Sequence, residues 1–120
     1  MKKIEAFENA IANNTDDVKA LGINPAAFWA YRKSMKADND CIDFNEVIWD
    51  DDVEGIAATF DDNGVTEFTI SSTYSGLIAT LAKFEKHGFK VAGLTEVNAP
   101  YPDFITGEPV RVPALSMVHI

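Results

Sequence analysis

Residues 66–97, TEFTISSTYSGLIATLAKFEKHGFKVAGLTEV, decide the fold. From Val65 to Ser71 apolar and polar side chains alternate, with Thr66, Phe68 and Ile70 on one side and Val65, Glu67 and Thr69 on the other. Period two is the mark of a strand. After Gly76 the period lengthens, and Leu77, Ile78, Leu81 and Phe84 fall on one helical face that Gly88 closes. Phe89–Val97 then returns to strand-like residues. A strand, helix and strand of this length predict a βαβ unit with parallel strands.

Upstream the pattern is helical. Ile4, Phe7 and Ile11 form one stripe, Thr15 precedes a short turn that Gly22 ends, and Asn24-Pro25 opens a helix carrying Phe28, Tyr31 and Met35. The run CIDFNEVIW, 41–49, is too short for periodicity to choose between strand and helical turn. DDDVEGIAATFDDNG, 50–64, reads as a helix with Val53, Ile56, Ala57 and Phe60 inward. Its interior Gly55 costs about 1 kcal/mol against alanine, which points to close packing there. Downstream, ALSMVHI, 114–120, reads as a third strand behind Pro113, and NAPYPDFITGEPVRV, 98–112, as a long loop of the kind that is usually functional.

The expected architecture is one domain over 1–120. Residues 1–63 are the mainly helical half, and 64–120 hold the βαβ unit and a C-terminal strand. N-terminal helices pack on a small three- to four-stranded sheet, making the class α/β, or α+β if the last strand is antiparallel.

The chain has 120 residues and a net charge of −9. Charge is unevenly spread. No Lys or Arg occurs from Ala37 to Ala82, an interval with eleven acids, while the other 74 residues hold ten bases and eight acids. Such a balance argues against direct nucleic-acid or anionic-membrane binding and for a partner with a basic surface. No apolar run approaches the roughly 18 residues of a membrane span. The N-terminus turns acidic too soon for a signal peptide, and Cys41 stands alone, so the expected location is cytoplasmic.

Three sites merit weighing. The first is the acidic segment: Asp50, Asp51, Asp52, Glu54, Asp61 and Asp62, with Trp49 as an anchor if exposed. A face of this kind can imitate nucleic-acid phosphates and block a basic nucleic-acid-binding protein, although acids also simply solvate a surface. The second is the strand-to-helix turn. Ser71, Ser72 and Thr73 either cap the helix or, with Tyr101, Asp103 and Arg111 of the 98–112 segment, take an anion or small molecule. The third is a homo-oligomer, signalled by an exposed apolar patch on the first helices.

Catalysis is not specifically suggested. The turn has neither the glycines and lysine of a phosphate loop nor the pattern of a nucleophile elbow. Asp50–Asp52 are consecutive, without the alternation of a calcium loop. His87 and His119 lack spaced partners for zinc, and acids beside Cys41 disfavour its thiolate. No metal, cofactor or catalytic residue is assigned; a non-enzymatic protein is expected, with an enzyme using the strand-to-helix turn 70–76 and the 98–112 segment as the alternative.

EFTISSTYSGLIATLAKFEKHGFKVAGLTEVNAPY and TGEPVRVPAL, with NPAAFWAYRKS and DFNEVIWDDDV, resemble small uncharacterised bacterial proteins of a domain of unknown function. The resemblance spans most of the chain and transfers no activity. Its similarity to proteins of mobile elements favours an inhibitor or regulatory accessory.

Overall fold

The computed structural model describes residues 1–120. Helices α1 (Glu5–Ala12) and α2 (Pro25–Lys36) flank a 3₁₀ turn at Val18–Leu21. Then follow β1 (Asp43–Phe44), α3 (Asp50–Asp62), β2 (Glu67–Ile70), α4 (Leu77–Lys86), β3 (Phe89–Pro102) and β4 (Pro109–His119). One four-stranded mixed sheet has the order β1-β2-β4-β3, and the class is α+β.

The parallel pair is β1–β2, joined through α3, with Asp43 opposite Thr69 and Phe44 opposite Ile70. β2 and β3 are also parallel, since each is antiparallel to β4, but β4 lies between them. The unit read from 66–97 therefore exists in split form. Periodicity fixes each element but not which strand fills the gap beside it. The ambiguous 41–49 run supplies the short β1 and then the approach to α3.

The expected loop 98–112 is instead mostly hairpin: β3 continues to Pro102, β4 starts at Pro109, and only Asp103–Glu108 connects them. The stretch contains prolines at 100, 102, 109 and 113. They are tolerated because β2 meets β4 only from Leu115 onward, so this stretch needs no ladder partner on that side. A bulge at Val91–Gly93 and an irregularity at Asn98–Pro102 bend the hairpin. Its outer half thus reaches Asn39, whose amide nitrogen donates to the Asn98 carbonyl (2.9 Å) while its amide oxygen accepts from the Asn98 N–H (2.7 Å).

One face of the sheet carries the core. Phe68 on β2 sits 5.1–5.5 Å, ring centre to ring centre, from Phe44, Phe60, Phe84 and Phe89. A second aromatic group, Phe7, Phe28 and Tyr31, joins α1 to α2. The Tyr31 hydroxyl accepts from the Ile4 N–H and donates to Glu8, each at 3.2 Å. Burial raises the Tyr31 pKa.

The opposite face holds the polar joint of the parallel pair. Asp43 is buried, and its two carboxylate oxygens accept from the Thr69 and Ser71 hydroxyls at 2.6 Å each. Its N–H donates to Ser34 Oγ of α2 at 2.8 Å. Each bond to a charged group in such a place contributes about 1.5–3 kcal/mol.

Asn24 caps α2 as its sequence implies, accepting from the Ala27 N–H at 3.0 Å. It also ties α2 to α3: its N–H donates to Thr59 Oγ1 (3.0 Å) and its side-chain amide to Asp52 (3.3 Å). A Cβ on Gly55 would lie 2.8 Å from that amide nitrogen, which explains the glycine inside α3.

Two stability predictions follow from these joints. Asp43→Ala leaves two hydroxyls without their acceptor and should cost roughly 2–4 kcal/mol in chemical denaturation; a loss under about 1 kcal/mol would deny the joint its role. Gly55→Ala improves helix propensity yet should destabilise by about 1 kcal/mol, because it displaces the cap. A gain in denaturation midpoint would show that Asn24 moves aside freely.

Candidate functional site

The eleven acids of 37–82 have different fates. Asp43 is the buried joint. Asp38, Asp40 and Glu67 border a cavity of about 190 Å³ beneath the bent hairpin, together with Glu96 and Arg111. Glu46 pairs with Lys33 at 2.5 Å. The remaining six lie on α3.

Helical geometry sorts those six. At about 100° per residue, Asp50, Glu54 and Asp61 fall within about 40° of one line, and Asp51 and Asp62 lie on the adjoining line. All five are exposed, forming one ridge about 18 Å long. Asp52 points the other way, to Asn24. The structure has two ion pairs, Lys33–Glu46 and His119–Asp61 (3.1 Å), so Asp50, Asp51, Glu54 and Asp62 have no cationic partner within 4 Å. Lys83 approaches only the Asp50 carbonyl, at 2.7 Å. His119 is exposed and rests edge-on against Phe89.

Trp49 immediately precedes the ridge and is 69% exposed. No side chain caps the helix it introduces, and three aspartates in the first turn offset the dipole instead. A groove of about 520 Å³ runs from Val47–Asp51 to Tyr74, Ser75, Gly76 and Thr80. It lies beyond the carboxyl ends of the parallel strands β1 and β2, the usual ligand position in such sheets. A second groove, of about 240 Å³, runs from the same Val47 and Ile48 to Ala26, Trp29, Ala30 and Lys33 on α2. Trp29 (54%) borders the second groove, Trp49 the first and Val47 (44%) both, so the exposed apolar side chains line a seam along residues 44–49 rather than a single groove.

Trp29 and Val47 are the residues that sequence reasoning missed. The signal existed for Trp29, which stands about 100° off the Phe28–Tyr31–Met35 stripe of its own helix. No such signal marked Val47, because its segment had no readable period.

The hydroxyl turn differs from expectation. α4 begins at Leu77 with Gly76 as its N-cap and no side-chain cap bond, so Ser71, Ser72 and Thr73 lie too far upstream to cap it. Ser71 is bonded to Asp43, Thr73 is exposed, and Ser72 Oγ is buried without a partner. The helix start is held by Tyr74, whose hydroxyl donates to Thr80 Oγ1 (3.0 Å), which in turn donates to the Gly76 carbonyl (3.1 Å). Arg111 donates to Asn98 Oδ1 and the Glu96 carbonyl, and its cavity contains none of Ser71, Ser72, Thr73, Tyr101 or Asp103. Tyr101 and Asp103 sit at the hairpin end. There the Asp103 carboxylate accepts from the Thr106 and Ile105 amides, which hold its pKa below the ordinary value.

No set of three or more His, Cys, Asp and Glu side chains is placed to hold a metal ion, and no helix is long and apolar enough to cross a membrane. Cys41 is half-buried; burial first, and the Glu67 charge second, push its thiol pKa up.

Cys41 should accordingly alkylate more slowly than a free thiol at pH 8, with its rate profile displaced to higher pH. Because its folded pKa is raised, the thiol's contribution is complete below the unfolded pKa and declines as pH rises through the thiol range. A profile matching free cysteine would contradict the burial.

The family described as Domain of unknown function (DUF7698) matches residues 26–119. No curated protein matches the chain. No solved structure matches it either.

Proposed function

We propose that this chain, which belongs to the DUF7698 family, is a protein-interaction module that binds a partner's basic surface through the α3 ridge and the seam beside it. The carrying observation is that five of the six α3 acids share one exposed face, four of them without a cation. Carboxylates so arranged attract lysine and arginine from a distance and select against acidic surfaces. Charge alone gives little affinity at an exposed rim. The apolar seam supplies what charge does not, since exposed tryptophans are the side chains that most often anchor interfaces.

In this reading Trp49 and Val47 form the contact's centre, and Asp50, Asp51 and Glu54 its rim. Asp61 and Asp62 extend the field along the helix. The partner class is a basic protein, with nucleic-acid-binding proteins the leading case, and the action is inhibition or regulation in the cytoplasm. The module itself binds neither nucleic acid nor membrane, because its net charge of −9 opposes both.

The test is affinity capture from host lysate at about 50 and 200 mM salt, comparing the wild type with Asp51→Asn/Glu54→Gln/Asp62→Asn. These positions are exposed, so the fold is retained. A basic protein captured at low salt, reduced at high salt and at least about tenfold weaker with the variant is the expected result. Capture indifferent to both salt and substitution would refute the reading.

A further inference from the structure

The larger groove, between the starts of α3 and α4, carries charge of one sign only. Asp50 and Asp51 are the only charged residues that line it, and neither carboxylate has a cation within 4 Å. Lys83 of α4 donates to the Asp50 carbonyl at 2.7 Å and so leaves both carboxylates open. The rest of the lining is aromatic, aliphatic or hydroxylic, with Trp49 from one side and Tyr74 from the other.

Both rings are available to a ligand. Trp49 is 69% exposed and has no cation over it, whereas Trp29 of the other groove already holds the Arg32 guanidinium 5.3 Å from its ring centre. Tyr74 is anchored by its hydroxyl to Thr80 (3.0 Å), so its ring is placed before any ligand arrives. A Cβ on Gly76 would lie 3.7 Å from Cδ2 and Cε2 of that ring, and glycine leaves this side of it bare.

The complement of such a groove is a side chain that is apolar along its stem and positive at its end. A neutral side chain would cover two carboxylates without supplying a counter-ion, and an acidic one would be repelled. Lysine offers a compact, strongly hydrated charge. Arginine offers a weakly hydrated plane that stacks on an aromatic face and bonds a carboxylate through two N–H groups. We infer that the groove between Trp49 and Tyr74 takes an arginine side chain of the partner protein, stacked on Trp49 and paired with the Asp50 and Asp51 carboxylates.

This arginine belongs to the basic partner of the proposed function, on which the reading rests, and names the residue that partner inserts. At about 520 Å³ the groove has the size of a ligand pocket and admits the side chain with part of its own backbone. Glu54, Asp61 and Asp62 lie outside it along the ridge and supply the longer-range field.

The experiment is a titration of the isotope-labelled chain, followed by heteronuclear NMR at constant ionic strength of about 50 mM. The probes are acetyl-Gly-Arg-Gly-amide and its lysine and norleucine counterparts, each taken to about 10 mM. The arginine peptide is expected to shift the Trp49 indole and the Gly76 amide saturably, leaving the Trp29 indole unmoved as an internal control. The lysine peptide should bind at least about threefold more weakly and the norleucine peptide at least about tenfold. Asp50→Asn/Asp51→Asn and Trp49→Leu change exposed side chains only, and their spectra report that the fold is kept. Each should weaken arginine binding at least about threefold.

No shift at Trp49 up to about 10 mM overturns the assignment, as does a norleucine peptide that binds as tightly or a variant that binds as well as the wild type. A lysine peptide that matches the arginine one overturns the choice of arginine. The two readings fail separately. Salt-sensitive capture of a basic protein by a chain that ignores the peptides refutes only the arginine. Peptide binding beside lysate capture insensitive to Asp51→Asn/Glu54→Gln/Asp62→Asn refutes only the ridge.

Discussion

The buried carboxylate of Asp43 is the constraint on which the rest of this structure depends. β1 is two residues long, too short to hold its place by ladder bonds alone. Asp43 compensates by accepting from Thr69 and Ser71 on one side while its N–H engages Ser34 of α2 on the other. A helix, the edge strand and the central parallel partner meet at a single residue. The core face of the same strand puts Phe44 against Phe60 and Phe68. Polar and apolar faces thus fix the same two residues from opposite sides.

That joint sets the direction in which the chain leaves the sheet. Residues 45–49 start from a fixed Phe44 and end at a fixed α3, which Asn24 ties back to α2. The segment bridges this gap with Ile48 buried and Val47 and Trp49 exposed. The exposure of two large apolar side chains follows from geometry: one inward position anchors the crossing, and its neighbours on either side have no interior to enter. A seam held this rigidly keeps its form whether or not it is covered, which lowers the ordering cost of any contact made there.

Elements with a sustained period were legible in the sequence: α2 with its Asn24-Pro25 start, α3 with its inward stripe, β2 with its alternation. What was lost is what periodicity does not encode. Insertion of β4 between β2 and β3 is a long-range pairing, set by Phe68 opposite Met117 rather than by anything local to 66–97. The hairpin disguised itself as a loop because prolines that forbid a central strand are harmless past the end of β2. The α3 ridge was readable as charge but not as a face until Asp52 and Asp43 were seen to be occupied with other residues. Of the exposed apolar side chains beside it, Trp49 was legible from the sequence, Trp29 carried a signal in its off-stripe position, and Val47 carried none.

Segregation of charge, more than its total, is what gives this surface direction. A uniformly acidic protein repels its own copies and attracts any cation indifferently. Here the acids that would blur the pattern are engaged elsewhere: Asp43 in the sheet joint, Asp52 on Asn24, Glu46 on Lys33. What remains unpaired on α3 lies on the ridge that points away from Asn24, next to the exposed Trp49. Attraction at long range would then be set by net charge and favour basic proteins, whereas fit at contact would be set by the ridge and the apolar side chains beside it. Specificity arises where the two criteria differ, because a partner that satisfies only the first leaves the exposed apolar surface uncovered.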